Sequence, residues 1–241
     1  MHTIFFPTRF DRDTLYDFFE ELDANLDTAE VTVDCSSLRY SYPTAMLVAG
    51  SKIRTWVRYR HSKKLVTKKA GVDNSRLVLS YLSHLGFFDY ILMGEGKAVG
   101  QAPGSGDYLP ITRISRPDFN SSNESVQEWY EKIMSVARGL ARVVSGTVKD
   151  TQENRLYNYA LREIIRNVFE HSGASECYVC GQRWYNGKVE IAVIDEGVGI
   201  AESLRKSFKL ENDIEALNMA IKPGVSSTSN ISQSENIYDN S

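Results

Sequence analysis

The stretch ALREIIRNVFEHS, residues 160–172, predicts a helix with one apolar and one polar side. At 100° per residue, Glu163, Asn167 and Glu170 fall within one narrow stripe. The opposite side carries apolar residues suited to packing on a sheet: Leu161, Ile164, Ile165 and Val168. We therefore expect the inner side to anchor a hydrophobic core and the outer side to carry functional groups.

A β-hairpin is predicted directly after this helix. ECYVCGQRW forms its first strand, Tyr-Asn-Gly at 185–187 forms the turn, and KVEIAVID forms the second strand. The second strand runs into DEGVGI, where Asp195 is followed by Gly197 and Gly199. Because glycine lets the backbone bend tightly and approach a flat ligand, this combination favours a nucleobase pocket.

The order of these motifs, EIIRNVFEHS in a helix and DEGVGI after a hairpin, resembles the GHKL ATPases. That family includes gyrase, Hsp90, histidine kinases and anti-sigma-factor kinases, and the ending Glu-His-Ser resembles anti-sigma-factor kinases more than membrane sensor kinases. The resemblance covers about residues 125–241. It implies a Bergerat-type ATP-binding domain, an α+β sandwich, with ATP and Mg²⁺ as cofactors.

The resemblance also implies roles for individual residues. Asp195 would accept a hydrogen bond from the adenine amino group, Gly197 and Gly199 would form the turn against the base, and Asn167 would hold Mg²⁺ bridging the triphosphate. These roles suit the side chains, since a carboxylate accepts from an amine and Mg²⁺ prefers oxygen ligands. Glu163, one helical turn before Asn167, would be the catalytic base that orients or deprotonates the attacking water or hydroxyl.

Two further polar residues of the helix have more than one interpretation. His171 is either a neighbour of the phosphate site or a structural histidine near the helix end. Glu170 is either part of the site or a solvated side chain.

The segment after Ile200 resembles the approach to the family's ATP lid. AESLRKSF predicts a helix, and DIEALNMAIKPGVSST is similar to the stretch that leads into the lid. Residues 226–241 are poor in apolar side chains, so we expect a mobile lid or a disordered tail. The family's second glycine motif, GxGL, does not follow, and we expect the ATPase-like unit over 125–241 to be incomplete.

The first half, residues 1–93, alternates strand and helix patterns. VTVDCSSLRYSYPTAMLVAG, residues 31–50, resembles the strand, turn and helix of STAS domains, the anti-sigma-factor antagonist fold. In that family a serine at the start of the helix is phosphorylated, whereas Pro43 stands at this position here, beside Thr44. The resemblance implies a degenerate STAS-like module for docking or dimerisation, with Thr44 as an alternative acceptor.

Residues 94–124 are predicted to be a linker and edge segment. GEGKAVGQAPGSGD, at 94–107, is rich in glycine and favours a flexible connection or exposed loop, and it lacks the spacing of a phosphate-binding P-loop. YLPITRIS is typical of an edge strand, where Pro110 is tolerated. A helix is predicted after it, with four residues facing inward: Trp129, Ile133, Val136 and Leu140.

Composition limits the possible partners. With 28 basic and 31 acidic residues, the net charge of -3 gives no general attraction for nucleic acid. The apolar runs are too short to cross a bilayer, and a cytoplasmic location is expected. The lone CxxC of Cys177 and Cys180 would point to opposite faces of a strand, which favours buried thiols over a metal or redox site. A basic cluster between Arg54 and Lys69 is either a partner surface or a solvated helix side.

Together these patterns predict an α/β protein with a STAS-like module, 1–93, joined to a GHKL ATPase-like unit. The first hypothesis is an ATP-binding regulatory protein, a nucleotide switch that changes affinity for a protein partner or a second copy. The alternatives are a serine/threonine protein kinase of the anti-sigma type and a non-catalytic interaction scaffold.

Overall fold

The computed structural model describes residues 1–222 and Val225. Within these residues the fold is mixed α/β, with a three-stranded parallel sheet, a short parallel strand pair and a three-stranded antiparallel sheet. The predicted class is confirmed at this level. The predicted lid, 226–241, lies outside the described residues.

The first half contains five short strands and four helices. In chain order they are β1 (His2–Phe5), β2 (Arg9–Phe10), α1 (Leu15–Ala24), β3 (Glu30–Asp34), β4 (Tyr40–Ser41), α2 (Pro43–Ser62), β5 (Val66–Ala70), α3 (Leu77–Leu85) and α4 (Phe87–Tyr90). β3 is the central strand and pairs in parallel with β1 and β5, while β2 pairs with β4. β1 and β2 are separate strands, and Pro7, which has no N–H for a ladder bond, lies between them.

The second half contains the antiparallel sheet and its helices. In chain order they are β6 (Tyr108–Ser115), α5 (Val126–Ser145), α6 (Gln152–Asn167), β7 (Glu176–Arg183), β8 (Val189–Asp195), α7 (Ile200–Arg205) and α8 (Asp213–Ala220), with a π-helical turn over Val168–Ser172. β7 is central, and β6 is an edge strand as predicted. The β6–β7 register is irregular between Leu109 and Thr112, where Pro110 cannot donate a ladder bond.

Local capping explains where the long helices of this half begin and end. At the start of α5 the Ser125 hydroxyl accepts from Glu128 N–H (3.2 Å), and the Glu128 carboxylate accepts from Ser125 N–H (2.8 Å). Gly146, with φ of 66°, follows the last turn of α5. Thr151 then caps α6 by accepting from Asn154 N–H (3.1 Å). The two helices pack against each other on one face of the sheet.

The antiparallel sheet lies between the two halves of the molecule. Cys177 and Val179 of β7 pack in the core formed with α5 and α6, whereas Tyr178 and Cys180 pack in the larger core that contains α2. This alternation follows from the two-residue period of a strand. It confirms that the two thiols of the CxxC are buried on opposite faces, and burial raises the pKa of Cys177 to about 12.

The predicted basic surface is wrong in part, because two of its arginines are buried. Arg54 is 4% exposed and Arg60 is 0% exposed. The Arg60 guanidinium donates to four backbone carbonyls next to α1 and β5: those of Asn25, Leu26, Thr28 and Val66. The buried Arg60 guanidinium therefore stabilises the connection after α1 and the start of β5 by satisfying their backbone carbonyls.

The glycine-rich connection, 94–107, is joined to α3 and β6 by backbone hydrogen bonds. Lys97 N–H donates to the Ser83 carbonyl of α3 (2.9 Å), and Gly100 N–H donates to the Ile111 carbonyl of β6 (3.0 Å). Over residues 1–222, no helix combines the length and apolar character that a bilayer span requires.

Candidate functional site

A cavity of about 540 Å³ lies where the end of α6, the loop after β8 and the end of α8 meet. Its volume is in the range of about 300–1,000 Å³ that is common for small-molecule sites. The lining combines apolar side chains with a few polar groups: Ile164, Asn167, Val168, His171, Ser172, Asp195, Gly197, Val198, Gly199, Ile200, Ser203, Leu204, Ala220 and Val225.

Four of the five sequence-predicted site residues line this cavity. Asn167 is the last residue of α6, and Asp195 is the last residue of β8. Gly197 and Gly199 lie in the loop between β8 and α7. The cavity therefore brings together a carboxylate, an amide and two glycines from elements that are separated in sequence by the hairpin.

The direction of Asp195 follows from the sheet register. Asp195 pairs with Cys177, which packs on the α5 and α6 side, so both residues lie on that face of the sheet. One carboxylate oxygen, Oδ1, accepts from Gly197 N–H at 2.9 Å. This bond fixes the side chain, and a carboxylate has capacity for further donors.

The two glycines of the loop differ in their surroundings. A Cβ on Gly197 would lie 2.4 Å from the Ser172 carbonyl oxygen and 2.6 Å from its hydroxyl, so the loop passes too close to Ser172 for a side chain. A hydrogen bond from Val198 N–H to the same carbonyl (2.7 Å) holds the loop there. A Cβ on Gly199 would meet nothing within 4 Å. Gly197 is therefore needed for packing, whereas Gly199 presents open backbone to the cavity.

The π-helical turn after α6 forms the part of the cavity wall against which the loop packs. Its last residue, Ser172, donates from its hydroxyl to the Val168 carbonyl at 2.7 Å. The His171 carbonyl accepts from the Ser203 hydroxyl of α7 at 2.9 Å. These bonds join the turn to the helix that follows the glycine loop. Single π-helical turns inside helices are frequent at functional sites.

Glu163, the predicted catalytic base, is placed outside the cavity lining. Its carboxylate lies 2.9 Å from the Arg162 guanidinium and 3.3 Å from that of Arg166. The lining residues Ile164, Asn167 and Val168 have the i, i+3, i+4 spacing of one helix face, and Glu163 lies on the neighbouring face. Arg166 also pairs with Glu170 (2.8 Å), so Glu170 is part of the same surface ion-pair group.

Ile164 is the clearest difference from the predicted amphipathic pattern. The sequence pattern groups it with the inner, apolar residues, but it is 49% exposed and lines the cavity. Ile165, its neighbour, is 0% exposed and belongs to the core. An apolar side chain on the cavity side of a helix is suited to contact a flat, apolar ligand surface.

The cavity lining offers few of the ligands that a bare metal ion needs. Its Asp195 carboxylate is better suited to accept hydrogen bonds from a neutral or cationic group. Within residues 1–222, no group of three or more His, Cys, Asp or Glu side chains could hold a metal ion by itself. Asn167 contributes one side-chain amide to the cavity lining. A magnesium ion at Asn167 would therefore need most of its oxygen ligands from water and from a bound ligand.

Several lining residues were not identified from the sequence. Ser172, Ser203 and Leu204 reach the cavity through the π-helical turn and α7, and Ala220 and Val225 reach it through α8 and the residues after it. The glycine spacing in DEGVGI indicates tight packing of this loop, but it does not identify Ser172 as the residue that the loop packs against.

Neither a family model, nor a curated protein, nor a solved structure matches this chain significantly. What the cavity binds has to follow from its own residues and their geometry.

Proposed function

We propose that the chain binds an adenine nucleotide in the cavity between α6 and the β8–α7 loop and acts as a nucleotide-dependent switch. The observation that carries the proposal is the convergence of Asp195, Asn167 and the open Gly199 on one cavity of about 540 Å³. Asp195 can accept a hydrogen bond from an amine, and Asn167 can share a Mg²⁺ ion with phosphate oxygens. The open backbone at Gly199 can lie against a flat ring.

The adenine end of the proposed ligand lies at Asp195. Its carboxylate is half-buried and is fixed by the Gly197 N–H, so it can accept from an exocyclic amine without losing side-chain freedom on binding. The base would lie along Gly199 and the exposed face of Ile164. Because adenine presents an amine where guanine presents a carbonyl, the site should favour ATP over GTP.

The phosphate end lies toward Asn167. An amide oxygen at the end of α6 can join the ligand shell of a Mg²⁺ ion that enters with the nucleotide. Mg²⁺ is proposed here as a companion of the phosphates, with water and phosphate oxygens as its main ligands.

Binding and turnover are separate parts of the proposal. Glu163 could act as a base only after its carboxylate leaves Arg162 and Arg166 and reaches the cavity, because these ion pairs hold it outside the lining. We therefore propose a binding function first, and hydrolysis or phosphate transfer only for a state in which those ion pairs are open.

The test is calorimetric binding of Mg-ATP to the chain and to Asp195→Asn. We expect binding by the unaltered chain and about 10- to 100-fold weaker binding by the variant, the cost of one hydrogen bond to a charged group. Asp13→Asn is the matched control, since Asp13 is exposed and outside the cavity lining. No binding of any adenine nucleotide, or equal affinity for Asp195→Asn, would show the proposal to be wrong.

Phosphate release from the same samples separates the switch from an enzyme. Binding without release supports a switch, whereas release that is lost in Glu163→Gln with binding retained would assign Glu163 as the base.

A further inference from the structure

Helix α2 of the first half contacts the residue that follows Asp195. The Glu196 carboxylate lies 3.1 Å from the Arg58 guanidinium, 3.6 Å from that of Arg54 and 3.2 Å from the Ser51 hydroxyl. Ser51, Arg54 and Arg58 are spaced i, i+3 and i+7, which places them on one face of the helix. One face of α2 thus supplies three partners to a single glutamate.

Arg54 is the fixed member of this group. It is 4% exposed, and its guanidinium lies 4.8 Å from the ring centre of Tyr90 and 4.5 Å from that of Tyr178. It also donates to Glu176 at the start of β7 (3.2 Å). A guanidinium stacked on two rings and paired with two carboxylates has a defined position, so it can hold Glu196 in a defined place.

The strand period explains why consecutive residues serve different sides. Asp195 lies on the face that carries α5, α6 and the cavity. Glu196 projects to the opposite face, where α2 packs against β7 and β8. The loop that forms the cavity wall is therefore held from behind by the first half of the chain.

We propose that Ser51, Arg54 and Arg58 are positioning residues that act through Glu196 to set the conformation of the 195–199 loop, and thereby its affinity for nucleotide. This inference rests on the proposed function of the cavity and adds the regulation of that site. It makes the first half a part of the nucleotide site, so an event that moves α2 changes nucleotide affinity. By linkage, nucleotide binding must in turn favour one position of α2, and the coupling free energy is the same in both directions.

The contacts at Arg58 and Glu196 are accessible to substitution without removing buried groups. The side chains of Arg58 and Glu196 are 49% and 32% exposed. Glu196→Gln keeps the size of the side chain and removes one charge, and Arg58→Gln removes one charge and shortens the side chain. Lys68→Gln is the matched control, because Lys68 pairs with Glu30 (2.6 Å) at a similar exposure, 56% and 32%, and this pair is separate from the Glu196 group.

The first measurement is amide hydrogen exchange at Gly197 and Val198 without nucleotide. We expect about 2- to 5-fold faster exchange in Arg58→Gln, the range for loss of one partly exposed ion pair. Glu196→Gln, which also loses its ion pair with Arg54, should have at least this effect, and the double variant should exchange no faster than Glu196→Gln. Lys68→Gln should leave these amides unchanged. Unchanged exchange in both single variants, or independent effects that add in the double variant, would overturn the proposal.

The second measurement is the dissociation constant of Mg-ATP for the same four variants. We expect an increase of about 2- to 5-fold in Arg58→Gln, at least the same increase in Glu196→Gln, and no increase in the double variant beyond that of Glu196→Gln. If the unaltered chain does not bind nucleotide, the proposed function fails, while the exchange data still decide whether α2 positions the loop. If nucleotide binds equally well to all variants although exchange is faster, the regulatory part of the inference is wrong.

Discussion

The two faces of the antiparallel sheet are built differently, although they share the strands β7 and β8. On the α2 side the sheet is closed by packing in the larger core and by a buried Arg54 between two tyrosine rings. On the α5 and α6 side an apolar core covers most of the sheet, but it opens into the cavity at the end of β8. The difference shows how a loop can be fixed from one side and accessible from the other.

The largest effect is expected from opening the closed face. Arg54→Ala removes the guanidinium from Tyr90, Tyr178 and Glu176 and leaves a space in the core, so the free energy of unfolding should fall by about 3–5 kcal/mol. Chemical denaturation measures this change. Arg113→Ala, which loses an exposed ion pair to the same glutamate, should cost less than about 1 kcal/mol. Similar losses in the two variants would contradict a special role for the α2 side.

Neighbouring isoleucines of α6 compare the core with the cavity. Ile165→Ala should lower the free energy of unfolding by about 2–5 kcal/mol, because the side chain is fully buried. Ile164→Ala should change it by less than about 1 kcal/mol, because the side chain is half exposed at the cavity. Thermal or urea unfolding of both variants measures the difference. A large loss in Ile164→Ala would show that this position belongs to the core, as the sequence pattern predicts.

The two glycines of the loop give a similar comparison at smaller scale. Gly197→Ala forces a Cβ against Ser172 and should cost about 1–3 kcal/mol of stability. Gly199→Ala meets open space and should leave stability within about 0.5 kcal/mol. If the cavity holds a base at Gly199, the second variant should nevertheless bind Mg-ATP more weakly. Unchanged stability together with unchanged nucleotide affinity in Gly199→Ala would remove this glycine from the site.

The thiols of Cys177 and Cys180 test whether both faces of the antiparallel sheet are closed to solvent. Their burial should cost no stability near neutral pH. Burial raises the pKa of Cys177 to about 12 and raises that of Cys180 as well. Both should fail to react with a disulfide reagent at pH 8 in the folded protein and react fully after unfolding. Since an unfolded thiol ionises near pH 9, stability should fall as the pH rises from about 9 toward 12. Reaction of Cys177 alone in the folded protein would show that solvent reaches β7 from the cavity face.

The elements with a clear period were predictable from the sequence. The hairpin, the edge strand with Pro110 and the helix α5 all follow from local pattern, and the structure confirms them. The strand period also predicted correctly that Cys177 and Cys180 lie on opposite faces. Asn167 and Asp195 line the same cavity, while their roles and the ligand stay predictions.

What the sequence did not provide depends on contacts between distant segments. Arg54 and Arg60 look like surface charges in a basic run, and only their partners across the fold make burial possible. Glu163 is an exception, because the partners that hold its carboxylate, Arg162 and Arg166, are neighbours on the same helix, and the i, i+3 spacing to Arg166 was visible in the sequence. Ile164 follows the apolar pattern but faces a cavity whose other wall comes from α7 and α8. Period alone carries no information about such partners.

The shared sheet has a practical consequence for dividing this chain. A fragment that starts at residue 125 would lack the edge strand Tyr108–Ser115 and the helix that covers the back of β7 and β8. Tyr178, Cys180 and Ala192 would then face water, and the backbone of β7 would be free to pair with another molecule. Such a fragment should self-associate when expressed alone, so the natural unit for biochemistry includes the first half.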